Sequence, residues 1–265
     1  MEIPCDTVAI ILPPLRSWSR TLQNRCTFGE ILSYWKAHDT TTFLVDLGIY
    51  HPSLYDFLTQ GEKERERSYK PLISRQRFVV SRTVLKHILR EILSKEHIAD
   101  IILIRIEDGR ILVKDHPSVY ISMSYSGTSI AITVGKRKLG SDIEVVRPVK
   151  DQKITSSPIF NDTNCKDEWE RIRQVIHVWT LVEAYAKLHD INPYPLLHNR
   201  SLFENTNFVS YCINQHSIFS LASDPDQCTD ALVWLDTSGT GKSSCSGDDG
   251  MGRSDIFAGN MLVHT

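Results

Sequence analysis

No apolar run in this 265-residue chain approaches the ~18 residues of a membrane-spanning helix, so none is expected. Its six cysteines (5, 26, 165, 212, 228 and 245) form no CxxC pair, and its ten histidines form no HExxH. Free thiols and no zinc framework are the expectation. Between Met1 and Pro14, Glu2 and Asp6 stand where a secretory leader carries basic residues, and the apolar run Val8 to Leu12 is too short for one. A cytoplasmic location without membrane contact is expected. No nucleophile elbow marks a Ser-His-Asp hydrolase. The stretch Asp236 to Ser243 falls one residue short of a P-loop, with Asp236 in the first glycine's place. Ser244 to Gly252 cannot readily form the helix that a phosphate-binding loop must open, so residues 237–265 read as a flexible tail.

What the chain does have is the composition of a globular protein: 41% apolar, 23% charged, net charge −2. The balance is uneven. Between Glu62 and Arg90, nine Lys/Arg face three Glu; from Ser223 onward, seven Asp face two basic residues. A local basic stretch suits a phosphate or an acidic partner. Nucleic acid is a poor fit and is not expected as a partner, because aromatics are not interleaved with the basic residues and the pI is about 6.5.

Periodicity supplies the elements. A helix is expected over Phe28 to Lys36 and a strand over Thr41 to Leu47. A long helix follows from about Ser74, with Arg75, Arg82, Lys86 and Arg90 on its outer face. Ile101 to Glu107 and Arg110 to Lys114 flank Asp108-Gly109, which predicts a two-residue hairpin. Strands are expected over Val119 to Ser124, Ser129 to Val134 and Lys138 to Val146. A helix is expected from Asp167 to His189, with Trp169, Ile172, Ile176 and Trp179 buried. Weaker strands are expected at Asn207 to Ile213, Ser217 to Ala222 and Asp230 to Leu235. Hairpins mixed with helices give an α+β fold.

Two acidic motifs carry chemistry. In Gly140-Ser141-Asp142-Ile143-Glu144, the two acids point to one face of a strand, and an oxygen-only pair suits Mg²⁺ rather than zinc. On the helix, Glu183 and Lys187 lie four apart on one face, at the margin of the buried stripe. Taken singly, a solvated strand edge and a surface ion pair explain these motifs better than a site does.

In their order and spacing they resemble the 4′-phosphopantetheinyl transferase superfamily, in its long two-lobed form. That family has a Gly-x-Asp-x-Glu strand followed by a Trp-x-x-Lys-Glu-x-x-x-Lys helix, matched here by Gly140 to Glu144 and Trp179 to Lys187. Ser122 to Gly127 is similar to its Asn-x-Ser-His-Ser strand, Gly109-Arg110-Ile111 to its Gly-Lys-Pro turn, Arg77 to Arg82 to its arginine-bearing helix, and Glu62 to Arg65 to its phosphate-contacting stretch.

The resemblance implies a pseudo-twofold pair of α/β lobes: an N-terminal extension (1–40), an N-terminal lobe (41–135), and a C-terminal lobe (136–236) with the metal site at the lobe interface. It implies Mg²⁺ held by Asp142, Glu144 and Glu183, and coenzyme A contacted by Lys63, Arg77, Ser124, Tyr125 and Ser126. Glu183 would accept the proton of a carrier-protein serine, and Lys187 would neutralise the leaving phosphate. The partner implied is an acyl or peptidyl carrier protein, and the chain is expected to act as a monomer. Tyr125 stands in place of a histidine, Val182 of a lysine, Arg110-Ile111 of Lys-Pro, and Asp190 to Pro193 of glycines. A relative that binds coenzyme A or carrier protein without catalysis is the alternative reading.

Overall fold

Stretches of period-two alternation become strands and the 3.6-residue stripes become helices, mostly within two residues of the expected bounds. The computed structural model describes residues 13–18, 25–106, 109–157, 167–198, 206–224 and 230–236. In chain order these form β1 (Leu15–Trp18), β2 (Arg25–Thr27), α1 (Ile31–Ala37), β3 (Thr40–Asp46), α2 (Gln60–Ser68), α3 (Leu72–Ile92), β4 (Leu103–Arg105) and β5 (Ile111–Val113). There follow β6 (Tyr120–Ser126), β7 (Ser129–Gly135), β8 (Leu139–Val145), α4 (Gln152–Thr155), α5 (Glu168–His189), α6 (Pro193–Leu196), β9 (Asn207–Ile213), β10 (Ser217–Ser223) and β11 (Asp230–Asp236). The fold is α+β. The expected strand over Val8 to Leu12 and the tail from Thr237 lie outside the described residues.

The elements form two units. One takes its described residues from Met1–Ser19 and Lys138–Gln227, the other from Arg20–Arg137 and Cys228–Thr265. The first unit's sheet has the order β1-β9-β10-β8, with β10 antiparallel to both neighbours and β1 parallel to β9. Helix α5 packs on the face of β8 and β10. Its buried side chains enter a cluster of Val175, Val178, Trp179 and Val182 with Ile154 and Leu197, a second of Ile176 with Val146 and Ile218, and a third of Ala184 and Leu188 with Ala222. Trp169, expected in that stripe, is 47% exposed, because the stripe reaches full burial only from Val175 onward.

The second unit's sheet has the order β2-β11-β3-β7-β6, with β11 parallel to β2 and β3. The stretch read as an N-terminal extension thus contributes β1 to one sheet and β2 to the other, and β11 belongs to the second unit. Helix α3 supplies much of this unit's core through Phe78, Val79, Val80, Val84, Leu85, Ile88 and Leu89.

Two expectations about α3 and the hairpin are corrected. Arg82 and Lys86, placed on the outer face, are 6% and 2% exposed. Lys86 Nζ is held by Glu62 Oε2 at 2.6 Å and the Phe57 carbonyl at 2.9 Å, and the Arg82 guanidinium lies 5.3 Å from the Phe78 ring. These partners come from other parts of the unit or from the ring itself, which periodicity alone does not reveal. In the hairpin, the Ile106 amide donates to the Arg110 carbonyl, and Gly109 has φ +94°. Five residues (106–110) therefore connect β4 and β5 rather than two, with glycine at a left-handed position. Of those, 107–108 lie outside the described residues.

Candidate functional site

The site begins with a glycine. Gly140, Asp142 and Glu144 share the face of β8 that meets α5. A Cβ on Gly140 would stand 2.0 Å from the Ala184 carbonyl oxygen and 2.4 Å from the Leu188 nitrogen. Only a residue without a side chain lets the helix backbone lie this close to the strand. Below the contact, Ala184, Leu188 and Ala222 form a small apolar cluster, and Thr180, Ser220 and Ser210 are linked by hydroxyl hydrogen bonds of 2.7 and 2.9 Å.

The close approach delivers Lys187 to the strand. Its Nζ donates to Asp142 Oδ1 at 2.7 Å and to the Ser141 carbonyl at 3.1 Å, and lies 3.7 Å from Glu183 Oε2. Asp142 is buried, while Glu183, Glu144 and Lys187 are part-exposed. Burial, followed by the charge of Asp142, pushes the Glu183 carboxyl up to about 6 against the pull of Lys187, and Glu144 adds to the rise. Glu144 also lies 3.9 Å from the exposed Arg147. The structure thus brings Asp142, Glu183 and Lys187 into direct contact and sets Glu144 within their electrostatic reach.

Three carboxylates face Lys187 and the exposed Arg147, and Asp142 and Glu144 add to the rise that burial gives Glu183. The donors are all oxygen, which fits a hard divalent cation such as Mg²⁺. Lys187 is the cation that bridges Asp142 and Glu183 in this structure. Among the described residues, no three His, Cys, Asp or Glu side chains are grouped as a ready metal cage.

The residues expected to grip coenzyme A belong to the other unit. Arg77, on α3, donates to the Gly127 carbonyl in the β6–β7 turn. Lys63, on α2, sets its ammonium 5.0 Å from the centre of the Tyr55 ring. On β6, the alternation splits the expected trio. Ser124 and Ser126 are buried on one face, whereas Tyr125 packs against the core on the other and meets Ser81 of α3 at 3.3 Å between hydroxyl oxygens. Glu62, within the expected phosphate-contacting stretch, caps α2: its carboxylate accepts the Thr59 amide at 2.9 Å as well as Lys86.

The chain is 22% identical to the 4′-phosphopantetheinyl transferase psf-1 of Bacillus pumilus over 138 residues, covering 51% of this chain and 59% of that protein. It is 27% identical to the 4′-phosphopantetheinyl transferase Sfp of Bacillus subtilis (strain 168) over 144 residues, covering 49% of this chain and 64% of that protein. These likenesses support the 4′-phosphopantetheinyl transferase superfamily for this chain. It spans about six tenths of the length of the curated relatives it matches. No family model matches it.

Against the superfamily pattern, Val182 is not a cation lost from a solvated site. It is fully buried among Val178, Trp179 and Leu197. Asp190 replaces glycine at the end of α5 by adopting φ +58°, a conformation Asp tolerates better than most residues, and it pairs with Lys138 at 2.9 Å. Sequence reasoning missed a polar cluster beside the site. Tyr194, on α6, donates its hydroxyl to Asp151 Oδ2 at 3.1 Å, and its ring lies 5.7 Å from Trp179, one turn before Glu183. No sequence motif signals it.

Proposed function

We propose that this protein transfers 4′-phosphopantetheine from coenzyme A to a serine of an acyl or peptidyl carrier protein, releasing 3′,5′-ADP. The observation that carries this reading is the contact of Asp142, Glu183 and Lys187 between β8 and α5, seated by Gly140. The new bond joins the serine oxygen to the β-phosphorus of coenzyme A, and the bond to the departing 3′,5′-ADP breaks. Glu183, its carboxyl raised by burial and by Asp142, would take the serine proton. Lys187 places an ammonium where charge develops on the leaving phosphate. Asp142, Glu144 and Glu183 would hold Mg²⁺. When bound, the ion neutralises pyrophosphate charge and polarises the phosphorus–oxygen bond. Arg77, Lys63 and the Ser124 to Ser126 strand would take the phosphates of coenzyme A, with Tyr125 contributing through its neighbours rather than as a charge.

The test is intact mass of a panel of apo carrier proteins incubated with the protein, coenzyme A and Mg²⁺. A phosphopantetheine mass gain on at least one carrier, abolished by chelator, is expected. The tether of Tyr125 to Ser81 on the core-facing side of β6 favours a second reading, a relative that binds coenzyme A or carrier protein without turnover. Binding with no mass gain across the panel selects it.

A further inference from the structure

The Arg20–Arg137 unit contains a cavity of about 690 Å³ in which none of the transferase site residues takes part. Its size falls within the range of about 300–1,000 Å³ that small-molecule sites occupy. One wall is aromatic: the His87 ring lies 5.4 Å from Phe28 and 5.5 Å from Phe57. Leu58, Ile98 and Ile101 extend the apolar surface.

Two basic side chains, Lys86 and Arg90, line this surface beside the acids Asp56 and Glu96. Lys86 lines the cavity and is 2% exposed. An ammonium has three donors, and among the described residues Glu62 and the Phe57 carbonyl take two, leaving one for a ligand. Arg90 lines the cavity too, and its Nε and Nη2 are engaged by Glu91, which leaves further N–H groups of the fork. His87 is held neutral by burial, with Arg90 adding to the effect, so it contributes a ring rather than a charge. The acids of the rim, Asp56 and Glu96, are exposed and screened by water. A buried donor without an acceptor is costly, and an oxygen anion on an apolar body removes that cost while filling the walls.

We propose that this cavity is a second ligand site, taking a small monocarboxylate with an aromatic or branched apolar body. The carboxylate meets Lys86 and Arg90, and the body lies against Phe28, Phe57 and His87. The site is independent of the transferase reading. It is tested by NMR titration of the full chain with 3-phenylpropionate, with 3-phenylpropanamide as the uncharged counterpart.

The acid shifts the amides of Phe57 to Thr59 and Ile98 to Ile101 and binds at least about tenfold more tightly than the amide. Ala99→Trp, at an exposed rim position, fills the cavity and abolishes the shifts while leaving the rest of the spectrum unchanged. Arg90→Gln weakens the acid about tenfold and leaves the amide unaffected. No shifts at millimolar acid, equal binding of acid and amide, or undiminished binding by Ala99→Trp would each overturn the proposal.

Discussion

Gly140 and Ala184 stand so close that a single added carbon on the glycine would lie 2.0 Å from the alanine carbonyl oxygen. Backbone on both sides leaves no flexible side chain to give way. Gly140→Ala therefore forces β8 and α5 apart and costs about 3 kcal/mol or more. Urea unfolding measures this. A variant as stable as the parent would mean that the strand and helix do not meet this closely.

Lys187 joins Asp142 and Glu183 across the same interface. Lys187→Met leaves the buried Asp142 carboxylate without its ammonium and destabilises the protein by about 2 kcal/mol, less than a fully buried pair because Lys187 is one-third exposed. Asp142→Asn in that background recovers part of the loss. A double-mutant cycle showing no coupling would place the two side chains apart.

Lys86 and Glu62 tie α3 to the cap of α2. Lys86→Met leaves Glu62 with a partly buried, uncompensated charge, costing about 3 kcal/mol, while Lys86→Met with Glu62→Gln is markedly less destabilised. Chemical denaturation of the three proteins checks the order. A single variant no less stable than the double would remove the buried pair from the fold's support.

Acid should weaken the fold before carboxylates generally titrate. Burial pushes His87 down to about 3 and His177 down to about 4, against 6.5 in the unfolded chain. Stability from keeping these rings neutral is complete above pH 6.5. It falls as the pH drops from there, because only the unfolded chain takes up the protons, until the folded values are passed. Glu183 acts in the opposite sense. Its stabilising contribution is full below 4.5 and is lost as the pH rises through about 6, a smaller span than either histidine's. Net stability therefore declines between pH 6.5 and 4, at a rate approaching about 1.4 kcal/mol per unit for each histidine. His177→Gln, which cannot take up a proton in this range, flattens the decline. A stability profile level from pH 7 to 4 would contradict the burial of both rings.

Much of this was legible in the sequence, for definite reasons. The strand pattern around Asp142 fixes which residues share its face, and the spacing of Glu183 and Lys187 fixes their common helix face; both follow from local geometry. The approach of α5 to β8 depends on Gly140 in a different way, since a glycine in a strand announces a close contact without saying with what. Lys86 and Arg82 read as solvent-facing because charged residues are seldom buried without a partner, and their partners are distant in sequence or aromatic. Tyr125 sits beside Ser124 in the chain but on the opposite face of β6, so a motif of adjacent residues does not make one pocket wall. The cluster of Tyr194 and Asp151 joins positions 43 residues apart and was beyond any local pattern.

In the proposed transfer, the carboxylate of Glu183 is the group that takes the serine proton. Glu183→Gln keeps the size and removes the base, with Lys187 and Asp142 left in contact. The most direct measurement is single-turnover intact mass of a responsive carrier with coenzyme A and Mg²⁺, run beside coenzyme A binding by calorimetry. The expected result is a rate of phosphopantetheine attachment lower by about a hundredfold or more with coenzyme A affinity changed by less than tenfold. Attachment at the parent rate by Glu183→Gln would contradict the assignment of this site to the reaction.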